Sequence, residues 1–268
     1  MKHLIKAALR QAGFELRKIP RVKPGYSKDV AFLKSGAFEV AYTEAKLDDS
    51  TYFAPGYALH RPAVQGVLQG MLYEPDTHKF VTRFCAENAG SMVHAGTFFG
   101  DMLPTFAAAV QGKVYAFEPV LESFVLAKLC ITQNDLSNVL LFNAGLGADL
   151  APMKINTVQL DGRHAGGASK LGADGQPCVV LNIDRLEADD VVLIQLDVEG
   201  FELQALQGAT KTIARCRPVI AIEDNEKACD GFLTEQGYAK TAQIPGLDIW
   251  CPKEVATLSA QVKEMTNA

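Results

Sequence analysis

The stretch His94-Ala95-Gly96-Thr97-Phe98-Phe99-Gly100-Asp101 decides how this chain is read. It follows a short apolar run, Ser91–Ala95, and precedes Leu103, Phe106, Ala107 and Val110, which recur at helical spacing. A strand that turns through two glycines into a helix brings the free N–H groups of the first helical turn into a crevice. Glycine permits the tight turn and lets backbone approach a ligand without an intervening Cβ. The spacing is GxxxG, unlike the GxGxxG of dinucleotide-binding turns. Such a glycine pair also fits an ordinary tight turn.

Outward from this turn the chain alternates. Residues 113–118 and Val139–Phe142 read as strands, separated by a helical stripe of Leu121, Phe124, Val125 and Leu129. Val191–Leu196 is almost unbroken in its apolar character, as a strand buried on both faces should be. A helix over 201–209 and a strand over 219–223 follow. Upstream, Pro75 suits the first turn of a helix running to Glu87. This order predicts a mostly parallel α/β sheet covered by helices. Tyr238–Ile244 and residues 247–251, divided by Pro245-Gly246, should form an antiparallel hairpin that completes a seven-stranded sheet. Two regions break the alternation. Residues 147–186 read as a hairpin or excursion, and residues 26–70, rich in Tyr, Phe and Gly, as an irregular extension with short strands. A helix is expected over 2–17, ended by Pro20 and Pro24-Gly25. The chain thus divides into an extension over 1–70, a candidate substrate cap, and a main domain over 71–268. The last stripe, Val255, Leu258, Val262 and Met265, would serve as a homodimer seam or pack on its own domain.

Composition bounds the function. Of 268 residues 48% are hydrophobic and 21% charged, enough for a substantial core. A net charge of -5 argues against a general nucleic-acid binder. Lys2, Lys6, Arg10, Arg17, Lys18, Arg21 and Lys23 face only Glu15 among the first residues, making a basic arm on an acidic body. That arm over 2–23 is either a weak contact for an anionic surface or a solvated helix face. Six cysteines without a CxxC pair read as free thiols of a cytoplasmic protein. No run is long and apolar enough to span a bilayer, and no secretion signal is read.

Three further positions carry chemistry. Glu118, before Pro119 at the tip of the second strand, would accept hydrogen bonds from both ribose hydroxyls of a nucleoside, or else cap the turn. Asn143-Ala144, after the third strand, would face a base edge, or else form a turn. Asp197 ends the most buried strand, and Glu199 lies in the turn after it. Glu202, in the first turn of the next helix, reads as a favourable charge for the helix dipole.

Together, residues 94–101, 114–119, 143–147 and 196–208 resemble the FkbM-type S-adenosylmethionine-dependent methyltransferases, a class I Rossmann-like branch. Asp-Val-Glu-Gly-Phe-Glu-Leu-Gln-Ala-Leu-Gln-Gly over 197–208 is the most specific segment, and Tyr73-Glu74-Pro75 and 217–223 also fit. The resemblance covers about residues 70–225. It implies S-adenosyl-L-methionine as cofactor and a small-molecule acceptor, commonly a hydroxyl on a sugar or metabolite. His94, Gly96, Thr97, Phe98, Gly100 and Asp101 would then line the methionine end, and Glu118 and Pro119 the ribose. Asn143 and Ala144 would meet the adenine, with Asp197 and Glu199 near the methyl group. His94 stands where the family usually has an acid, which leaves the ammonium contact to Asp101 or a water.

Methyl transfer requires the acceptor oxygen about 3 Å from the methyl carbon and a base for its proton. Asp197 and Glu199 are the candidate bases, with His94 behind them; Asp197 could equally hold loop N–H groups. Asp197, Glu199, Glu223 and Asp224 are oxygen donors compatible with Mg²⁺, but no metal is expected. An N- or carboxyl-methyltransferase and a nicotinamide-dependent oxidoreductase are the alternative readings. Replacing Glu118 by alanine is expected to cost cofactor affinity and leave folding intact.

Overall fold

The computed structural model describes residues 30–35 and 38–267. Its centre is the seven-stranded sheet that the apolar runs predict. The strands are β4 (Ser91–Ala95), β5 (Val114–Phe117), β6 (Val139–Phe142), β11 (Val191–Leu196), β12 (Val219–Ile222), β13 (Tyr238–Ile244) and β14 (Leu247–Pro252). Their order is β13-β14-β12-β11-β4-β5-β6. Pairing is parallel from β6 through β12, and β14 runs antiparallel to both β12 and β13.

Successive residues in these strands enter opposite layers, as pleating dictates. Met92, Leu193 and Ala221 pack against Phe80 and Phe84 of α2 (Pro75–Glu87), Phe106 of α3 (Leu103–Ala109) and Val262 and Met265 of α8 (Ala256–Asn267). Val93, Ile194 and Ile222 pack against Leu206 of α5 (Glu202–Gln207), Ile213 of α6 (Thr210–Cys216) and Leu233 of α7 (Asp230–Glu235). The terminal apolar stripe is therefore taken up by the chain's own core. All six cysteines are free. Among the described residues no helix is long and apolar enough to cross a membrane.

Two regions are more regular than their sequence suggests. The expected irregular extension contains a three-stranded antiparallel sheet of β1 (Val30–Ser35), β2 (Phe38–Leu47) and β3 (Ser50–Pro55). In β2 the apolar alternation Phe38, Val40, Tyr42 changes phase to Ala45 and Leu47, which hides the strand from a simple period-2 reading. Helix α1 (Pro62–Leu68) follows. This unit docks on α4 (Leu121–Gln133): Asn134 exchanges hydrogen bonds with both backbone groups of Thr51 at 2.7 Å. Tyr52, Ala54 and Val64 share a core with Phe99, Leu126 and Cys130. Tyr42, Phe53 and Tyr57 belong to this anchoring layer. The second region is the excursion over 147–186. It joins β7 (Gly145–Leu146), β8 (Ala151–Asn156), β9 (Lys170–Gly172) and β10 (Gln176–Leu181) in a second sheet, of order β7-β10-β8-β9. The helix expected over 2–17 and the basic arm lie outside the described residues.

Candidate active site

The carboxyl ends of β4, β5 and β11 open onto two cavities, of about 450 Å³ and 1050 Å³ including their mouths. The smaller is mostly apolar, lined by Phe117, Leu146, Ile155 and Leu171 among others, with Glu118, Ser169, Asp197 and Glu199 as its polar members. The larger carries five carboxyls, on Glu74, Asp101, Asp197, Glu199 and Glu223, against one guanidinium on Arg61. Gly96, Gly167, Asp197 and Glu199 line both, so the cavities meet where β4 and β11 end.

The glycine turn sits at this junction, and the reason for its glycines is packing within the chain. Gly96 has φ +93, and a Cβ there would lie 2.1 Å from the Asp197 carbonyl oxygen. Gly100 has φ +85, and its Cβ would meet the Ala127 backbone of α4 at 3.1 Å. Gly96 thus lets the ends of β4 and β11 close on each other. Between them, Thr97 is 1% exposed and its Oγ1 has no hydrogen-bond partner among the described residues. Phe98 adopts φ 49 and its N–H donates to Glu118 Oε2 at 2.7 Å. Helix α3 begins only at Leu103, so Asp101 lies in the turn and not in the helix. Asp101 is buried, which pushes its carboxyl up to about 7.

Glu118 is more than a free carboxylate at a strand tip. Its Oε1 accepts from Val120 N–H at 2.8 Å while Oε2 holds the Phe98 N–H, so one side chain ties the glycine turn to the end of β5. Burial outweighs these two bonds and raises its carboxyl to about 8. Each oxygen keeps a further lone pair for another donor. Asn143 is exposed; its Nδ2 donates to Glu118 O at 2.9 Å and Pro119 O at 3.3 Å, which bolts the same loop in place. Asn143 does not line either cavity, whereas Pro119 and Ala144 line the apolar one.

Asp197 N–H donates to Ala95 O at 3.1 Å, which fixes the start of the second turn. Burial, then Glu223, Glu199 and Glu74, hold the Asp197 carboxyl well above the usual range. Glu199 has φ +56, lies 3.8 Å from Lys170 Nζ, and is raised chiefly by burial. Glu202 does more than complement a dipole: its carboxylate accepts from Val198 N–H at 2.9 Å and Gly200 N–H at 3.0 Å, knitting the loop that carries Asp197 and Glu199.

His94 stands apart. It is 1% exposed, its ring meets Phe106 edge-on at 5.0 Å, and its Nδ1 bonds Gln195 Oε1. Burial lowers it to about 4, so the ring is neutral. It lies in the α2–α3 layer of the core and lines neither cavity. In its place the fold brings in Glu74, at φ 52 just ahead of α2, together with Glu223, Arg61 and Tyr73. Tyr73-Glu74-Pro75 and Glu223 fall in segments that carry the family resemblance, whereas Arg61 lies in the extension outside it. Among the described residues no group of three or more His, Cys, Asp or Glu side chains is placed to hold a metal ion.

The family model for the methyltransferase FkbM domain matches residues 94–239, more than half of the sequence, and the chain belongs to this family. Among solved structures it is similar to a methyltransferase FkbM from Methylobacillus flagellatus KT, with 19% identity and a TM-score of 0.46. That match covers 61% of this chain and 43% of the other, so the chain spans well under half of that protein's length. A SAM-dependent methyltransferase from Aquifex aeolicus matches with 15% identity and a TM-score of 0.40, covering 72% and 94%. A methyltransferase from Geobacter sulfurreducens matches with 12% identity and a TM-score of 0.42, covering 68% and 80%. A comparison with curated proteins finds no match.

Proposed function

We propose that the chain is a class I, Rossmann-like methyltransferase that takes its methyl group from S-adenosyl-L-methionine and places it on a hydroxyl of a small metabolite or sugar. The observation that carries this reading is the meeting of an apolar cavity and an acidic one at Gly96 and Asp197. The two halves suit a ligand with a flat nucleoside at one end and positive charge at the other.

The residues present fit such a cofactor. Phe117, Ala144 and Leu146 offer an apolar slot for a base, and the remaining lone pairs of Glu118 would accept from ribose hydroxyls. The unpartnered Thr97 Oγ1 and the buried Asp101 carboxyl belong to the turn that would hold the methionine end, with Gly96, Phe98 and Gly100 shaping it. When bound, the cofactor supplies an electrophilic methyl on a sulfonium that becomes a neutral thioether. Asp197 and Glu199 stand at the cavity junction, where a base for the acceptor hydroxyl is needed. His94 supports the strand from beneath, and Asn143 supports the Glu118 loop. Arg61 and Ala63, from the segment before residue 70, form one wall of the acidic cavity, in keeping with a substrate cap over 1–70.

Equilibrium dialysis with S-adenosylhomocysteine and with NADH tests the cofactor. Retention of the thioether nucleoside and not of NADH supports the reading, and the reverse sinks it. A screen of hydroxylated, amine and carboxylate acceptors with a radiolabelled methyl donor then tests the group methylated; label on amines or carboxylates alone would refute methylation of a hydroxyl.

A further inference from the structure

Leu196 pairs with Ile222 in the parallel register of β11 and β12, and Glu223 N–H donates to Leu196 O at 3.0 Å. The next residues of the two strands, Asp197 and Glu223, therefore leave the sheet side by side. Burial, and next the neighbouring Glu223 carboxyl, hold the Asp197 carboxyl well above the usual carboxylate range. Two carboxyls side by side in one cavity ionise together only at a cost, so the place favours a proton held between them. Both groups line the 1050 Å³ cavity. Around them stand Glu74 from just ahead of α2, Asp101 from the glycine turn and Glu199 from the loop after β11, with Arg61 and Tyr73 also lining the cavity. Asp101 is 6% exposed, and burial is the main cause that raises its carboxyl. Asp224 is engaged elsewhere, accepting from Ala228 and Cys229 N–H.

We propose that Asp197 and Glu223 act as one proton-holding pair, in which Glu223 is the positioning residue: the pair keeps a proton in the free protein, gives it up when a positively charged ligand enters, and takes the acceptor's proton during transfer. The proposal rests on the methyl-donor reading above. In the step itself the acceptor oxygen bonds the methyl carbon. The methyl–sulfur bond breaks with its electron pair left on sulfur, and the O–H proton passes to Asp197, where Glu223 shares it. The sulfonium charge disappears as one carboxylate charge is neutralised, so the summed charge of the cleft is the same before and after. That removes the electrostatic cost of separating charge in the step.

Isothermal titration calorimetry in buffers of different ionisation enthalpy counts protons released per ligand bound. For the wild-type protein near neutral pH, S-adenosylmethionine is expected to release about one proton more than S-adenosylhomocysteine, which lacks only the sulfonium methyl and its charge. Glu223→Gln, and Asp197→Asn should the first variant fail to fold, keep the shape of the pair without a shared proton. Each is expected to abolish the difference while S-adenosylhomocysteine still binds. Equal proton counts for the two ligands in the wild type, or an undiminished difference in the variants, overturns the pair. Failure of both ligands to bind the wild type overturns the methyl-donor reading and this proposal together, a result distinct from binding without proton release.

Discussion

Glu118→Ala exposes how tightly the site is wired into the fold. The substitution strands two buried N–H donors, Phe98 at 2.7 Å and Val120 at 2.8 Å. An unsatisfied buried donor costs about 1–3 kcal/mol, so the pair costs about 2–6 kcal/mol. Against this, the wild-type carboxyl is itself destabilising above its unfolded value of 4.5, because burial raises it to about 8. A raised carboxyl stabilises the fold in acid and loses that contribution as pH climbs towards the folded value, by about 1.4 kcal/mol per pH unit. The alanine variant has no such loss. Its deficit should therefore be largest near pH 5 and smaller by about 2–3 kcal/mol near pH 7. Urea denaturation of both proteins at the two pH values measures this. A deficit that grows with pH, or none near pH 5, would refute the assignment of Glu118 as a buried tie. Loss of cofactor affinity remains expected, but not with stability untouched.

Other substitutions separate the same effects. Gly96→Ala should cost several kcal/mol more than Gly200→Ala in chemical denaturation, since Gly200 at φ +97 has nothing within 4 Å to meet a Cβ whereas Gly96 faces the Asp197 carbonyl at 2.1 Å; equal costs would contradict the packing role. Asp101→Asn should raise the stability of the ligand-free protein near pH 8 by up to about 4 kcal/mol and have little effect near pH 4, because burial lifts that carboxyl from 3.8 to about 7. The same variant should bind S-adenosylmethionine more weakly by calorimetry, and unchanged affinity would remove Asp101 from the ligand contacts. Glu202→Ala should destabilise by about 2–4 kcal/mol through the freed Val198 and Gly200 N–H groups. It should also speed amide exchange across residues 198–201, and protection equal to wild type would rule out the knitting role.

How much was legible in the sequence follows from what each element buries. Ser91–Ala95, Val139–Phe142 and Val191–Leu196 were read at their observed limits because apolar runs between turn residues leave few other structures. The terminal hairpin was legible from Pro245-Gly246. In the extension short strands were expected, but their length and pairing were not legible, because β2 changes the phase of its alternation midway. At the site, strand-end acids could be found by position, but their neighbours could not. Glu223 and Glu74 reach Asp197 through strand order and a left-handed residue ahead of α2, neither of which is a local signal. His94 illustrates the converse. Its place beside the glycine turn suggested a ligand contact, yet strand pleating turns its ring into the core against Phe106.

A crystal structure with S-adenosylhomocysteine bound tests the central claim most directly. The account predicts the ribose on Glu118, the base beside Ala144 and Leu146, and the sulfur over the Gly96–Asp197 junction. Density for the nucleoside outside the apolar cavity, or none at saturating concentration, would contradict it.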